Sequence, residues 1–338
     1  MARLSERNPA SAPGDWYVDR RCIDCGASRE AAPGLIVHRK GKSVFARQPA
    51  GEDEERAAWR AVLVCPTASV GTEDHRAQPP DLFPQELAPG VYRCGYNAES
   101  SFGAHSYFVR RAEGNLLVDS PRHVGKLVRK LEDLGGVSDI LLSHQDDVAD
   151  AGRYAKHFNA RVWIHEDDAR AAPYATDLLR GGEPTEIRKG LLAIPVPGHT
   201  RGSVVYLLEE RYLFTGDSLA WSHERKDLVA FRDACWYSWS EQRRSLAKLA
   251  DHRFEWVLAG HGGSVRLPAE EMRTPARAGE AHVSAHRGRG GRRGDYCRLS
   301  GVSVSIKKFF PAAIALGASD SSLSLTPVSL RRRASLMR

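Results

Sequence analysis

Apolar residues fall in short runs separated by glycine, proline and charged positions, and the runs alternate between strand-like and helix-like spacing through most of the chain. The first runs are Trp16-Tyr17-Val18, Leu35-Ile36-Val37 and Ser43-Val44-Phe45, the last two placed for a small hairpin. Glu54 to Val64 carries Ala57, Ala58, Ala61 and Val62 at helical spacing and stops at Cys65-Pro66, because proline cannot continue a helix. Residues 14–71 therefore read as one compact unit, too small to be stable on its own core without a cofactor or a docked neighbour. The proline-rich, polar stretch 72–90 reads as a linker.

Beyond it, Ser106 to Val109, Asn115 to Val118, Asp139 to Leu142 and Arg161 to Ile164 read as strands, with helices at Val124 to Leu134 and Ala151 to Phe158. Leu191 to Val196, Val204 to Leu208, Tyr212 to Phe214 and Trp256 to Leu258 read as further strands, and Glu241 to Leu249 as a helix. Strands interleaved with helices predict a layered α/β domain over residues 91–271. After Glu271 the pattern degrades into Arg/Gly-rich and Ser/Leu-rich sequence, so 285–338 is expected to be a flexible C-terminal extension.

With 338 residues, 42% of them apolar and 27% charged, the composition is that of an ordinary globular protein. No apolar run is long enough to cross a bilayer and no export signal opens the chain, which favours the cytoplasm and excludes a membrane partner. The formal charge of +7 gathers late, at Arg287 to Arg293 and Arg331 to Arg333, so the basic tail reads as a solvated extension rather than a nucleic-acid contact. The six cysteines do not form a secreted disulfide framework in so long a chain.

The candidate chemistry sits where strands end. Leu141-Leu142 leads into Ser143-His144-Gln145-Asp146-Asp147, Ile194 to Pro197 into Gly198-His199-Thr200, Tyr212 to Phe214 into Thr215-Gly216-Asp217, and Trp256 to Leu258 into Gly260-His261-Gly262. Loops held at strand ends can converge on one crevice, and histidines with aspartates gathered there can hold a divalent cation. In this order the motifs closely resemble those of the metallo-β-lactamase superfamily. The resemblance implies a four-layer αββα sandwich and a first signature His-x-His-x-Asp-His. Here that signature keeps only His144; Asp146, Val148 and Ala149 stand at the other three positions. One ion is expected on His144, Asp146, His199 and Asp217. A second is left with Asp217 and His261, joined by Asp147 or Asp150 if the loop departs from the usual path. Either aspartate could instead cap the following helix, and a metal-free relative is the alternative to both sites. His165, His223 and His252 are given no metal role. Zinc, iron or manganese would suit an oxygen-rich set, with Asp146, Asp217 and His261 in catalytic roles on a small-molecule substrate.

Cys22-x-x-Cys25 with a distant Cys65-Pro66 has ferredoxin logic, and resembles the ferredoxin-type N-terminus joined to certain metallo-β-lactamase-like proteins. There the first loop has a third cysteine; here Ser28 takes its place. Cys22, Cys25, Ser28 and Cys65 are expected to hold a [4Fe-4S] cluster with oxygen ligation, a [3Fe-4S] cluster, or nothing, the thiols then being buried small hydrophobes. A structural zinc is the weaker choice. Three functions stay open: a metal-dependent hydrolase, an iron-sulfur redox protein with a redox partner, and a metal-free scaffold. A homodimer is compatible with each.

Overall fold

The computed structural model describes residues 2–74, 76–273 and 301–303; nearly all of the expected C-terminal extension lies outside them. Near the N-terminus, β1 (Trp16–Val18) pairs antiparallel with β4 (Val70–Thr72), and between them run α1 (Ala27–Ala31), the hairpin of β2 (Ile36–Arg39) and β3 (Lys42–Phe45), and α2 (Glu52–Val64). The hairpin turns on Lys40-Gly41, both at positive φ (48° and 74°), the backbone twist that suits a two-residue connection. Helix α2 opens with four acidic residues against the helix dipole and buries Ala58, Trp59, Ala61 and Val64 on one face. Trp59 meets Trp16 edge-on at 5.3 Å, the centre of this small core.

The main domain continues with β5 (Gln85–Ala88), β6 (Val91–Arg93), β7 (Tyr107–Val109), β8 (Leu116–Val118), α3 (Gly125–Asp133), β9 (Asp139–Leu141), α4 (Ala151–Phe158), β10 (Arg161–His165) and β11 (Asp177–Leu179). These strands form one seven-stranded sheet in the order β11-β10-β9-β8-β7-β6-β5. Then follow β12 (Thr185–Arg188), β13 (Leu191–Pro195), β14 (Val204–Leu208), β15 (Tyr212–Gly216), the hairpin of β16 (Ala220–Ser222) and β17 (Asp227–Phe231), α5 (Trp239–Leu246), β18 (Trp256–Ala259) and β19 (Val265–Arg266). The second sheet has six strands, β12-β13-β14-β15-β18-β19.

Side-chain alternation makes the layers. Tyr107, Val109, Leu116 and Val118 point inward to meet Val204, Tyr206, Leu208 and Phe214 of the facing sheet. Phe108 and Leu117 point outward under Leu127, Leu131 and Tyr154 of α3 and α4. On the opposite outer face, Val205, Leu207 and Leu213 lie under Leu246 and Leu249. The result is the αββα sandwich. The outer cluster beneath α3 and α4 runs on into Trp16, Phe45 and Trp59, so the N-terminal unit shares its core with the main domain. Burying each such side chain contributes roughly 1.5–3 kcal/mol.

The structure corrects the reading of 72–90 as plain linker: its end is the edge strand β5, paired Gln85↔Arg93 and Glu86↔Tyr92. Strands β4, β6, β11, β12, β16, β17 and β19 also lie outside the strands that the sequence pattern predicts. No helix among the described residues is long and apolar enough to cross a membrane.

Candidate metal centre

His144 is delivered by β9. Past Leu141 the chain stays extended: Ser143 donates its backbone N–H to Asp119 Oδ1 (2.8 Å) and its hydroxyl to Asp119 Oδ2 (3.0 Å). Ser143 Oγ lies 2.9 Å from His144 Nδ1, which satisfies that nitrogen and aims Nε2 into the crevice. A 3-10 turn over Gln145–Asp147 follows, with Ala149 at φ 30°. That turn swings Asp147 inward and leaves Asp146 on the open side, its side chain 44% exposed.

Gly198 allows α5 to press on the His199 loop, since a Cβ there would lie 2.1 Å from Gln242. Asp217 follows β15, and His261 follows β18. Gly260 sits so close behind them that a Cβ would lie 2.9 Å from Asp217 Oδ1 and 3.1 Å from Asp147 Oδ2. The small residues flanking the ligands are thus required by close approach.

Among the described residues, ligand atoms within 4.8 Å of one another form two groups: His144, His199 and Asp217; and Asp147, Asp217 and His261. Asp217 belongs to both. Its Oδ2 is 3.7 Å from His144 Nε2 and 3.6 Å from His199 Nε2, and Asp146 Oδ2 is 3.4 Å from His199 Nε2. His261 points Nδ1 at Asp217 (2.8 Å) and Nε2 at the Phe102 carbonyl, 3.2 Å away. His144 Nε2, His199 Nε2 and both Asp147 carboxylate oxygens are buried without a hydrogen-bond partner. Buried polar atoms left bare are costly, and here they converge as a cation's ligands would.

The electrostatics agree. Burial, then the neighbouring His199, push His144 down to about 4, so its imidazole is neutral and free to ligate. Burial opposes charge on Asp217, yet His261, His144 and His199 hold its carboxyl well below the usual range. Burial, with Asp217, Asp119 and Asp146, pushes Asp147 well above its ordinary value. The neighbouring His199 holds Asp146 low.

Asp150 stands apart from both groups. Its Oδ2 accepts the backbone N–H of His123 at 2.7 Å, and Arg153 lies 3.6 Å away. Two residues with no motif support the site. Asp119, at the end of β8, orients His144 through Ser143. Asp168 accepts the Gln145 N–H (3.0 Å), the Thr200 hydroxyl (2.6 Å) and the Gly202 N–H (3.0 Å), tying the His144 and His199 loops together. Asp119 left one legible trace, a carboxylate directly after an apolar strand; Asp168, inside the acidic run Glu166-Asp167-Asp168, left none.

In the N-terminal unit, Cys22 Sγ accepts backbone N–H groups from Asp24 and Ser43, each at 3.4 Å, and Cys65 Sγ accepts that of Ser69 at 3.1 Å. Asp24 (φ 60°) and Gly26 (φ 90°) curl the loop. Burial pushes the Cys25 thiol up to about 12. Ser28 is buried in α1. The three sulfurs are absent from the groups within 4.8 Å among the described residues; one zinc, with sulfur about 2.3 Å away, needs closer thiols. Amide donors to sulfur suit an iron-sulfur cluster. Cys94 is buried elsewhere, and Cys235 Sγ donates to the Gly198 carbonyl at 3.0 Å.

Cys25, alone of the three thiols, reaches the metal group's cleft of about 320 Å³, where it shares the wall with Phe102, Asp147, His199 and Trp236. Sequence reasoning had no means of placing Cys25 there.

Residues 18–72 match the family described as the 4Fe-4S single cluster domain of Ferredoxin I, and residues 88–273 match the family described as the metallo-beta-lactamase superfamily. The uncharacterized protein YobT of Bacillus subtilis is 29% identical over 206 residues, covering 51% of this chain and 88% of YobT. A hydroxyacylglutathione hydrolase of Anaeromyxobacter dehalogenans is 40% identical over 82 residues, only 23% of this chain and 31% of that enzyme. Among solved structures, an archaeal metallo-beta-lactamase superfamily protein from Sulfolobus tokodaii is 17% identical with a TM-score of 0.42, over 60% of this chain and 91% of that one.

Proposed function

Since the chain belongs to the metallo-β-lactamase superfamily, in the subgroup with a ferredoxin-like N-terminal domain, we propose that it is a metal-dependent hydrolase acting on a small molecule through a carboxylate-rich paired site. The observation that carries this reading is the set of buried, partnerless ligand atoms on His144, His199 and Asp147 around Asp217. His144, Asp146, His199 and Asp217 would hold one divalent ion, and Asp147, Asp217 and His261 a second. The donors mix nitrogen and oxygen, which suits zinc, iron or manganese. Such an ion activates water near neutral pH and polarises a carbonyl or phosphoryl oxygen. The protein's own part is positioning. Asp217 stays ionised between both groups, the Phe102 carbonyl faces His261 Nε2 and so turns Nδ1 toward Asp217, and Asp146, ionised on the open side, can orient the attacking water.

A second reading, an iron-sulfur redox protein, is favoured by the amide-to-sulfur hydrogen bonds around Cys22 and Cys65. On this reading Cys22, Cys25, Cys65 and Ser28 ligate a [4Fe-4S] cluster, or the three thiols a [3Fe-4S] cluster. The domain division goes with it, residues 14–71 carrying the thiols and 91–271 the metal groups. Metal and acid-labile sulfide analysis of anaerobically purified protein tests both readings on one sample. Stoichiometric metal that is lost in His199→Ala and Asp217→Ala supports the hydrolase; protein without metal sinks it. Sulfide with iron supports the cluster, and its absence removes that reading alone.

A further inference from the structure

We propose that the outer edge of β17 is a docking surface for the chain's own C-terminal arm, and that the arm, paired there as a strand, straps the wall of the metal cleft. Gly301–Ser303 forms a short strand, β20, antiparallel to β17 with Phe231↔Gly301, Ala230↔Val302 and Val229↔Ser303 in register. It takes the side of β17 that β16 leaves free, giving a three-stranded sheet in the order β16-β17-β20. The sequence suits a strand at this point: Val302, Val304 and Ile306 alternate with Ser303 and Ser305, inside a stretch whose composition otherwise reads as a flexible extension. A two-stranded hairpin is marginal alone, and an unpaired strand edge is a template for another chain. The third strand removes both weaknesses.

The position matters because β17 leads straight into the cleft. Its last residue, Phe231, lines the cleft, and a Cβ on Gly262, next to His261, would lie 2.9 Å from Phe231 Cζ. A 3-10 turn over Arg232–Ala234 follows, and Ala234 and Trp236 line the same wall. Trp236 and Tyr237 then donate their backbone N–H groups to the His199 carbonyl at 2.9 and 3.1 Å, while Cys235 Sγ donates to the Gly198 carbonyl at 3.0 Å. One short run of chain therefore joins the edge that β20 covers to the backbone of His199. An arm seated on β17 holds this run in place; an arm displaced leaves the hairpin one strand poorer and the wall freer to open locally. The inference concerns the wall alone and stands whether or not the cleft hydrolyses anything.

Hydrogen exchange read by mass spectrometry on the full chain tests it. In wild type, those amides of Gly301–Ser303 that face β17 are expected to exchange about tenfold more slowly than the unstructured rate of their sequence, the protection a ladder hydrogen bond gives. Exchange at the unstructured rate throughout overturns the inference without any variant. Val302→Pro with Ser303→Pro removes two successive N–H groups, which point to opposite sides of a strand, so one of them must come from the ladder. This double variant should speed exchange about tenfold at Val229–Phe231 and through Arg232–Tyr237, and speed alkylation of the Cys235 thiol, while β14 keeps its wild-type protection. Ser321→Pro with Ser322→Pro puts the same residues further along the arm and should change neither. If Val229–Phe231 opens but the wall and Cys235 do not respond, β20 only covers an edge and the strap is wrong. Protection of Gly301–Ser303 that rises with protein concentration would give the strand to a second copy and equally overturn the intramolecular strap.

Discussion

Asp147 and Asp150 are three residues apart and carry the same side chain, yet only one faces the metal groups. The choice is made by the backbone: a 3-10 turn over Gln145–Asp147 and a positive φ at Ala149 send Asp147 inward and Asp150 toward the His123 amide. Asp147→Asn is therefore expected to remove metal from the second group and halve the bound metal in elemental analysis. Asp150→Ala should keep the metal content while losing about 1 kcal/mol of stability with its hydrogen bond. The reverse pattern would reject this assignment. His144, His199, Asp217 and His261 were legible because each directly follows a buried strand, at three of them with glycine alongside. Asp147 could not be sorted from Asp150, since that depends on dihedral angles no spacing encodes. Asp168 was invisible because its work is to accept hydrogen bonds from two distant loops. Asp168→Ala strips three donors of their buried acceptor, so a loss of about 2–4 kcal/mol is expected, with metal affinity down about 10–100-fold although no ligand is touched. Chemical denaturation and competitive metal titration measure the two effects; unchanged metal affinity would reduce Asp168 to a purely structural residue.

The loop between β6 and β7 links the thiol unit to the metal groups. Phe102 offers its carbonyl to His261 Nε2, and the next residue, Gly103, packs on Cys25 and Pro66. Gly103 lies at φ +87°, and a Cβ there would come 2.8 Å from Cys25 Sγ. Gly103→Ala is expected to cost about 1–3 kcal/mol on top of the backbone strain, because the added carbon would clash with the half-buried Cys25. Gly34→Ala is the control: its φ is +76° with nothing within 4 Å of the added carbon, so it reports the strain without the clash. If the two variants melt together and Cys25 alkylates at the wild-type rate in both, the loop does not brace the thiol unit. At this scale the apolar strands and amphipathic helices were readable: β7, β8 and β14 are buried at every position and read as continuous apolar runs, while burial on one face writes a period into the helices. The edge strands β5, β11 and β12, and the β16–β17 hairpin, were not: they contain or adjoin polar and charged residues, so pairing rather than pattern decides them.

For the molecule as a whole, the division into a thiol-bearing unit and an α/β sandwich followed from two blocks of different motif. How the blocks join did not, for it lies in a shared apolar cluster and in pairs distant in sequence. One such pair is Glu30 of α1 and His223 beside β16, 3.3 Å apart. The hydrogen bond to Glu30 raises the His223 imidazole above its ordinary value of 6.5, against the opposing effect of burial. A group whose folded value is raised contributes its full stabilisation below the unfolded value and loses it as pH climbs through the folded one. The pair should therefore hold the N-terminal unit in acid and neutral solution and release its contribution toward alkaline pH. His223 is 63% exposed, so solvent screens the pair and the effect is small. The measurement is the difference in melting temperature between wild type and Glu30→Gln across about pH 5.5 to about pH 8.5, a window bracketing the histidine range. Wild type should be the more stable protein at the acid end, with the gap closing as pH rises and shrinking when salt is added. A gap that is constant with pH would mean that packing around Glu30, not its charge, holds the two units together.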